Sequence, residues 1–206
     1  MSVNNEYKIL FQIAKLSYLE KIDESIDKID ICYNNISSKE KEIILKYTKI
    51  IYEEFKKIDD INGLCIPLSI CLLEVSPAIT KQQYSFLTFG IIEDTITGKD
   101  IFLVGEKEDF LKRYNPNEVV GGNIHAWITL SDGTIIDPSI NFNSNICVNS
   151  LIIGSPAEIS KEYKYSPYII GSMIENFPDF FNETELDKIF KNKLEKIKKN
   201  YKTITY

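Results

Sequence analysis

A single histidine, a single tryptophan and only four cysteines occur in this 206-residue chain, and each scarcity narrows what it can be. One histidine and no Cys-x-x-Cys pair leave no zinc-ligand pattern, and no metal or other cofactor is expected. Cys32, Cys65, Cys71 and Cys147 are irregularly spaced in a long chain, unlike a disulfide framework, so reduced thiols are the expectation. No apolar run reaches the roughly 18 to 20 residues that span a bilayer. Glu6, Lys8 and Lys15 interrupt the opening segment where a signal peptide would be continuously apolar, which predicts a cytoplasmic protein that does not engage a membrane. Basic charge is short as well. The 24 Lys and Arg against 30 Asp and Glu leave a formal net charge of -6, which argues against nucleic acid as a partner. Lys191, Lys193, Lys196, Lys198 and Lys199 cluster as the solvated face of a terminal helix would.

What is present is a change of character partway along the chain. Residues 1–60 read as helical. Leu10, Phe11, Ile13, Ala14 and Leu16 crowd the first segment, and Ile22, Ile26, Ile29 and Tyr33 recur at helical spacing. Ser37 with Glu40 is a capping-box signature ahead of the stripe Ile43, Ile44, Tyr47, Ile50, Ile51 and Phe55. Gly63 breaks that pattern, and Pro67, tolerated only in a first helical turn, puts Cys65 at the mouth of a buried helix carrying Leu64, Leu68, Cys71, Leu72 and Val75. From about residue 84, aromatic and β-branched residues predict two antiparallel strands, 84–92 and 99–104, about Thr97-Gly98. A short helix over 106–114, a loop at Asn115-Pro116-Asn117 and a hairpin over 124–136 follow. Further on come a strand within 147–153, a short helix over 156–162, a short element over 168–174 and a final helix opened by Asn182 and Glu185. Helices first and an antiparallel sheet after make an α+β chain. Residues 1–60 are read as an N-terminal helical extension and 61–206 as the main domain.

The chemistry concentrates in the run from Gly121 to Pro138. Alternation places His125, Trp127 and Thr129 on one face of a strand, with Ile124, Ala126, Ile128 and Leu130 on the other, core face. Whether Asp137 reaches His125 depends on the turn. A two-residue Asp132-Gly133 turn would pair Ile128 with Asp137 and send the carboxylate to the core face. A three-residue loop, Ser131-Asp132-Gly133 with Gly133 left-handed, pairs Trp127 with Asp137 and lays the carboxylate diagonal to His125. The cost of burying a carboxylate on an apolar face favours the second register. A cysteine at a helix N-terminus near an imidazole is the usual arrangement of a thiol nucleophile, which puts Cys65 ahead of the buried Cys71.

In order along the chain, Gly63-x-Cys65-x-x-x-Ser69 at a helix start, His125-Ala126-Trp127 on a strand, and Asp132-Gly133 with Ile136-Asp137-Pro138 resemble the transglutaminase-like cysteine enzymes. These form a branch of the papain-like fold that includes transglutaminases, cysteine peptidases and the leader peptidases of lasso-peptide maturation. The resemblance covers roughly residues 60–140. It implies a papain-like core with Cys65 as nucleophile, His125 as general base and acid, and Asp137 as the acid that orients the imidazole. The long helical N-terminal portion lies outside the shared core. The glutamine that papain-type relatives carry upstream of the cysteine has no counterpart among Asp59, Asp60 and Asn62. That leaves the backbone N–H of Cys65 as oxyanion donor, with Asn62 as a second. Trp127 shields the His125–Asp137 pair, binds substrate, or is simply packed.

The function expected is acyl-enzyme catalysis on an amide or isopeptide bond or a glutamine side chain of a peptide or protein. Water as acceptor gives proteolysis or deamidation, and an amine gives transamidation. Two rivals stand beside it: an acyltransferase using a thioester or ester donor, and a non-catalytic papain-like binding platform.

Overall fold

The computed structural model describes residues 3–22, 36–55, 65–76, 85–101, 125–130, 132–140 and 151–170, together with Asn192, Glu195, Lys196 and Lys199. Within them, α1 (Val3–Ile22), α2 (Ser38–Phe55) and α3 (Cys65–Val75) precede an antiparallel sheet. Its strands are β1 (Ser85–Asp94), β2 (Lys99–Asp100), β3 (His125–Leu130), β4 (Ile135–Asp137), β5 (Ile152–Gly154) and β6 (Tyr163–Ile170), with a short helix α4 (Pro156–Ile159) before the last. The chain is therefore α+β, with helices first and a curled antiparallel sheet after.

β1 is the organising strand. Thr88 to Gly90 pair with β3 on one side and with β6 on the other, while Glu93 and Asp94 pair with both β2 and β6. β3 and β2 thus share one edge of β1 end to end, and β6 pairs along the other from Thr88 to Asp94. β3, β4 and β5 continue outward in that order. The register of β1 against β6 shifts between Phe89 and Gly90, where Gly90 faces Pro167. Proline lacks a donor, and a bulge is where a sheet accommodates one. Gly90 is also a point of close approach: a Cβ there would lie 2.0 Å from the Ser166 carbonyl oxygen and 2.7 Å from the Trp127 ring.

Both faces of the sheet are covered. On one, Leu87, Phe89, Ala126, Ile128, Leu130 and Ile136 pack with Ile44, Tyr47 and Ile51 of α2 and Leu68, Cys71 and Leu72 of α3. On the other, Phe86, Trp127, Ile135 and Tyr165 pack with Tyr7, Phe11 and Ala14 of α1. Phe11 sits between its neighbours, stacked on Tyr7 at 6.2 Å and edge-on to Phe86 at 5.6 Å. The face of His125 is therefore interior too, which alternation along β3 alone does not reveal. Every residue of β3 is buried.

Local expectations can be compared element by element. The capping box opens α2, with the Ser37 N–H donating to Glu40 Oε2 at 2.8 Å and the Glu40 N–H to Ser37 Oγ at 3.2 Å. In α1 the buried stripe is Tyr7, Phe11 and Ala14, whereas Ile13, one of the apolar residues crowding that segment, is 56% exposed, because it projects from the opposite side of the helix to Phe11. The short element expected over 168–174 is instead the eight-residue strand β6, which begins earlier, at Tyr163. Only Lys99 and Asp100 are described as strand in the segment expected over 99–104. The helix over 106–114, the Asn115-Pro116-Asn117 loop, Cys32 and Cys147 lie outside the described residues. Of the final helix, Asn192, Glu195, Lys196 and Lys199 are described and helical, and Lys196 Nζ meets Glu54 Oε2 of α2 at 2.8 Å. Among the described residues no helix is long and apolar enough to cross a membrane.

Candidate active site

The site is assembled from a helix start, a strand start and a strand end. Cys65 is the first residue of α3 and is half-buried, two positions ahead of Pro67. α3 lies against β3, and buried Ser69 donates from Oγ to the Ala126 carbonyl at 3.4 Å, across to the strand rather than back onto its own helix. His125 opens β3 opposite Gly90 and is 2% exposed.

Asp137 ends β4, and its place follows from the turn. The Gly133 N–H donates to the Leu130 carbonyl and the Leu130 N–H to the Thr134 carbonyl, both at 2.9 Å. Gly133 has φ of +85°, the left-handed conformation that closes a type I turn with one extra residue. Ile128 pairs with Ile136 and Thr129 with Ile135, so Trp127 stands opposite Asp137, the register of the three-residue loop. The carboxylate is then diagonal to the imidazole, and Asp137 Oδ2 lies 2.7 Å from His125 Nε2. Tyr52 of α2 donates its hydroxyl to the Pro138 carbonyl, tying the end of β4 to the helical layer.

Asp137 is fully buried, so its charge must be met by donors. Four are supplied. Oδ1 accepts from the Ser139 N–H at 2.9 Å and the Ser139 hydroxyl at 3.0 Å. Oδ2 accepts from His125 Nε2 at 2.7 Å and the Tyr165 hydroxyl at 2.8 Å. Burial alone would raise this carboxyl. The adjacent imidazolium and the hydrogen bonds from His125, Ser139 and Tyr165 outweigh it and hold Asp137 below its ordinary range. For His125, burial pulls the imidazole down, and the charge and hydrogen bond of Asp137, with a smaller contribution from Cys65, push it up to about 10.

The hydrogen bond between the Cys65 thiol and His125 joins the three groups into one chain. With Nε2 occupied by Asp137, the nitrogen left for Cys65 is Nδ1. A carboxylate on Nε2 fixes the ring orientation, and the protonated imidazole turns its Nδ1–H toward the sulfur.

Trp127 is fully buried. Its ring stacks beside His125 at 6.4 Å and meets Tyr165 edge-on at 5.1 Å. Its indole N–H donates to the Tyr7 hydroxyl at 3.0 Å, and that oxygen lies 2.7 Å from Thr129 Oγ1. With its donor so engaged, Trp127 is the wall behind the His125–Asp137 pair rather than a hydrogen-bond donor to substrate. Asn62, expected as a second oxyanion donor, lies outside the described residues. Among the described residues no three His, Cys, Asp or Glu side chains gather in a metal-binding arrangement.

Three contributors were not anticipated from sequence. Ser139 carries a local signal, an Asx-type turn in which Asp137 accepts from the backbone two residues on. Tyr165 and Tyr7 carry none, since each reaches the site from a distant element. Comparison of the chain with protein-family models, curated proteins and solved structures finds no match.

Proposed function

We propose that the protein is a thiol enzyme with a papain-like, transglutaminase-like core, acting through a Cys65–His125–Asp137 triad on an amide or isopeptide bond or a glutamine side chain of a peptide or protein. The observation that carries this reading is the imidazole that joins a buried, fully donated carboxylate to a thiol at a helix N-terminus. With the proton already held on His125 Nδ1, Cys65 Sγ attacks the carbonyl carbon. His125 then delivers that proton to the leaving amine, the C–N bond breaks and a thioester remains. Water or an amine, deprotonated by the same imidazole, breaks the C–S bond and restores the thiol. Asp137 keeps Nε2–H throughout and supplies the counter-charge while the imidazole is protonated.

Labelling with iodoacetamide and mapping by mass spectrometry tests the reading. Cys65 should be alkylated well before Cys32, Cys71 and Cys147 at neutral pH. His125→Ala should abolish the advantage. Equal labelling of all four cysteines, indifferent to that substitution, would replace this reading with the binding platform.

A further inference from the structure

We infer that Tyr165 is a positioning residue that sets how firmly Asp137 holds His125, by sharing the one carboxylate oxygen, Oδ2, on which the imidazole depends. The two oxygens of Asp137 are used differently. Among the described residues, Oδ1 is held by Ser139 alone, from its N–H and its hydroxyl. Oδ2 is divided between His125 Nε2 at 2.7 Å and the Tyr165 hydroxyl at 2.8 Å. A second donor on the same oxygen draws charge away from the bond to Nε2, so the imidazole is gripped less tightly than by an undivided carboxylate.

Tyr165 is built to do this steadily. Its ring is buried and fixed edge-on against Trp127 at 5.1 Å, itself stacked beside His125, so the hydroxyl has little freedom to turn elsewhere. Burial, followed by the Asp137 charge, keeps the phenol neutral far above working pH, so it remains a donor. Among the described residues, the titratable groups acting on the imidazole are Asp137 of β4 and Cys65 of α3. Tyr163 and Tyr7 act on Tyr165 rather than on His125 directly. The role rests on the triad reading in its consequence: an imidazole held too tightly would surrender its proton poorly to a leaving amine.

The single histidine makes the test unambiguous, because every imidazole nitrogen signal in ¹⁵N NMR belongs to His125. Working in a Cys65→Ala background removes the thiol, so the measurement stands whether or not Cys65 is a nucleophile. Tyr165→Phe keeps the ring and deletes the hydroxyl. It should raise the His125 titration midpoint by about one pH unit and move the Nε2 proton resonance downfield at neutral pH. Placing 3-fluorotyrosine at position 165, a stronger donor of nearly the same size, should shift both in the opposite direction, and this arm decides the matter if the phenylalanine variant does not fold. An unmoved midpoint in either variant would reduce Tyr165 to packing. A midpoint that falls in Tyr165→Phe would show that the hydroxyl merely holds the carboxylate in place, and would equally overturn the inference. Alkylation of Cys65 in the thiol-bearing protein tests the triad reading separately.

Discussion

Replacing Asp137 by Asn removes one charge from a site where four donors converge on a fully buried carboxylate. Removing one member of a buried, hydrogen-bonded ion pair costs about 3 to 5 kcal/mol. Linkage gives a similar size, since an imidazole raised from 6.5 to about 10 on folding stores about 5 kcal/mol of stability. The amide restores part of this through neutral hydrogen bonds, with the Ser139 and Tyr165 hydroxyls turning to accept. The expected loss near pH 6 is therefore about 3 kcal/mol. Its pH dependence is the more searching part. His125 is raised in the folded state, so its contribution is complete below the unfolded value of about 6.5 and is lost as pH climbs through the folded one. Asp137 is lowered, so its contribution is present above about 3.9 and is lost as pH falls through its depressed value. Urea denaturation of both proteins should give a difference that is widest between about pH 4 and 6.5 and closes to about 1 kcal/mol near pH 9. A difference of the same size at pH 6 and pH 9 would refute the ion-pair account. So would an Asn variant as stable as the parent.

Other substitutions probe the scaffold behind the pair. Gly90→Ala places a methyl group 2.0 Å from the Ser166 carbonyl oxygen and 2.7 Å from Trp127, so it should cost about 3 kcal/mol or more by denaturation; wild-type stability would contradict the close approach. Tyr7→Phe strands the buried indole N–H and should lower stability by about 1 to 3 kcal/mol, with a blue shift in emission from the lone tryptophan as its hydrogen bond is lost; an unchanged spectrum would contradict the Trp127–Tyr7 bond. Gly133→Ala forces a side chain into the left-handed region and should cost about 1 kcal/mol, with weakened Cys65 labelling if the three-residue register is what aims Asp137 at His125.

How much of this was written locally is visible in particular residues. The Ser37–Glu40 cap, the start of α3 near Pro67 and the Leu130–Thr134 loop could all be anticipated, because each depends on residues within a turn of one another. That loop is decisive for the pair. With a side-chain period of two, one residue more or less in the turn moves Asp137 to the other face, so the diagonal contact with His125 was implicit in Asp132-Gly133 and its neighbours. Other elements could not be read this way. The short element expected over 168–174 left out the first half of β6, where Pro167 breaks the strand pattern opposite Gly90, and with that half went Tyr165, the second donor on Asp137 Oδ2. Alternation in β3 distinguished two faces but not that α1 buries the second, since an apolar face and a face of His, Trp and Thr carry different local signatures yet can be equally interior.

By itself, then, the sequence determined the secondary structure near each motif and the relation of His125 to Asp137, because turn stereochemistry and the two-residue period act over a few positions. Tertiary structure alone decided that Cys65, sixty residues before His125, meets it from the start of α3, and that Tyr165 and Trp127 enclose the pair. Those contacts depend on how helices dock on a curled sheet, and hydrophobic burial, which has no direction of its own, marks in the chain which face of an element is apolar but not which element covers it.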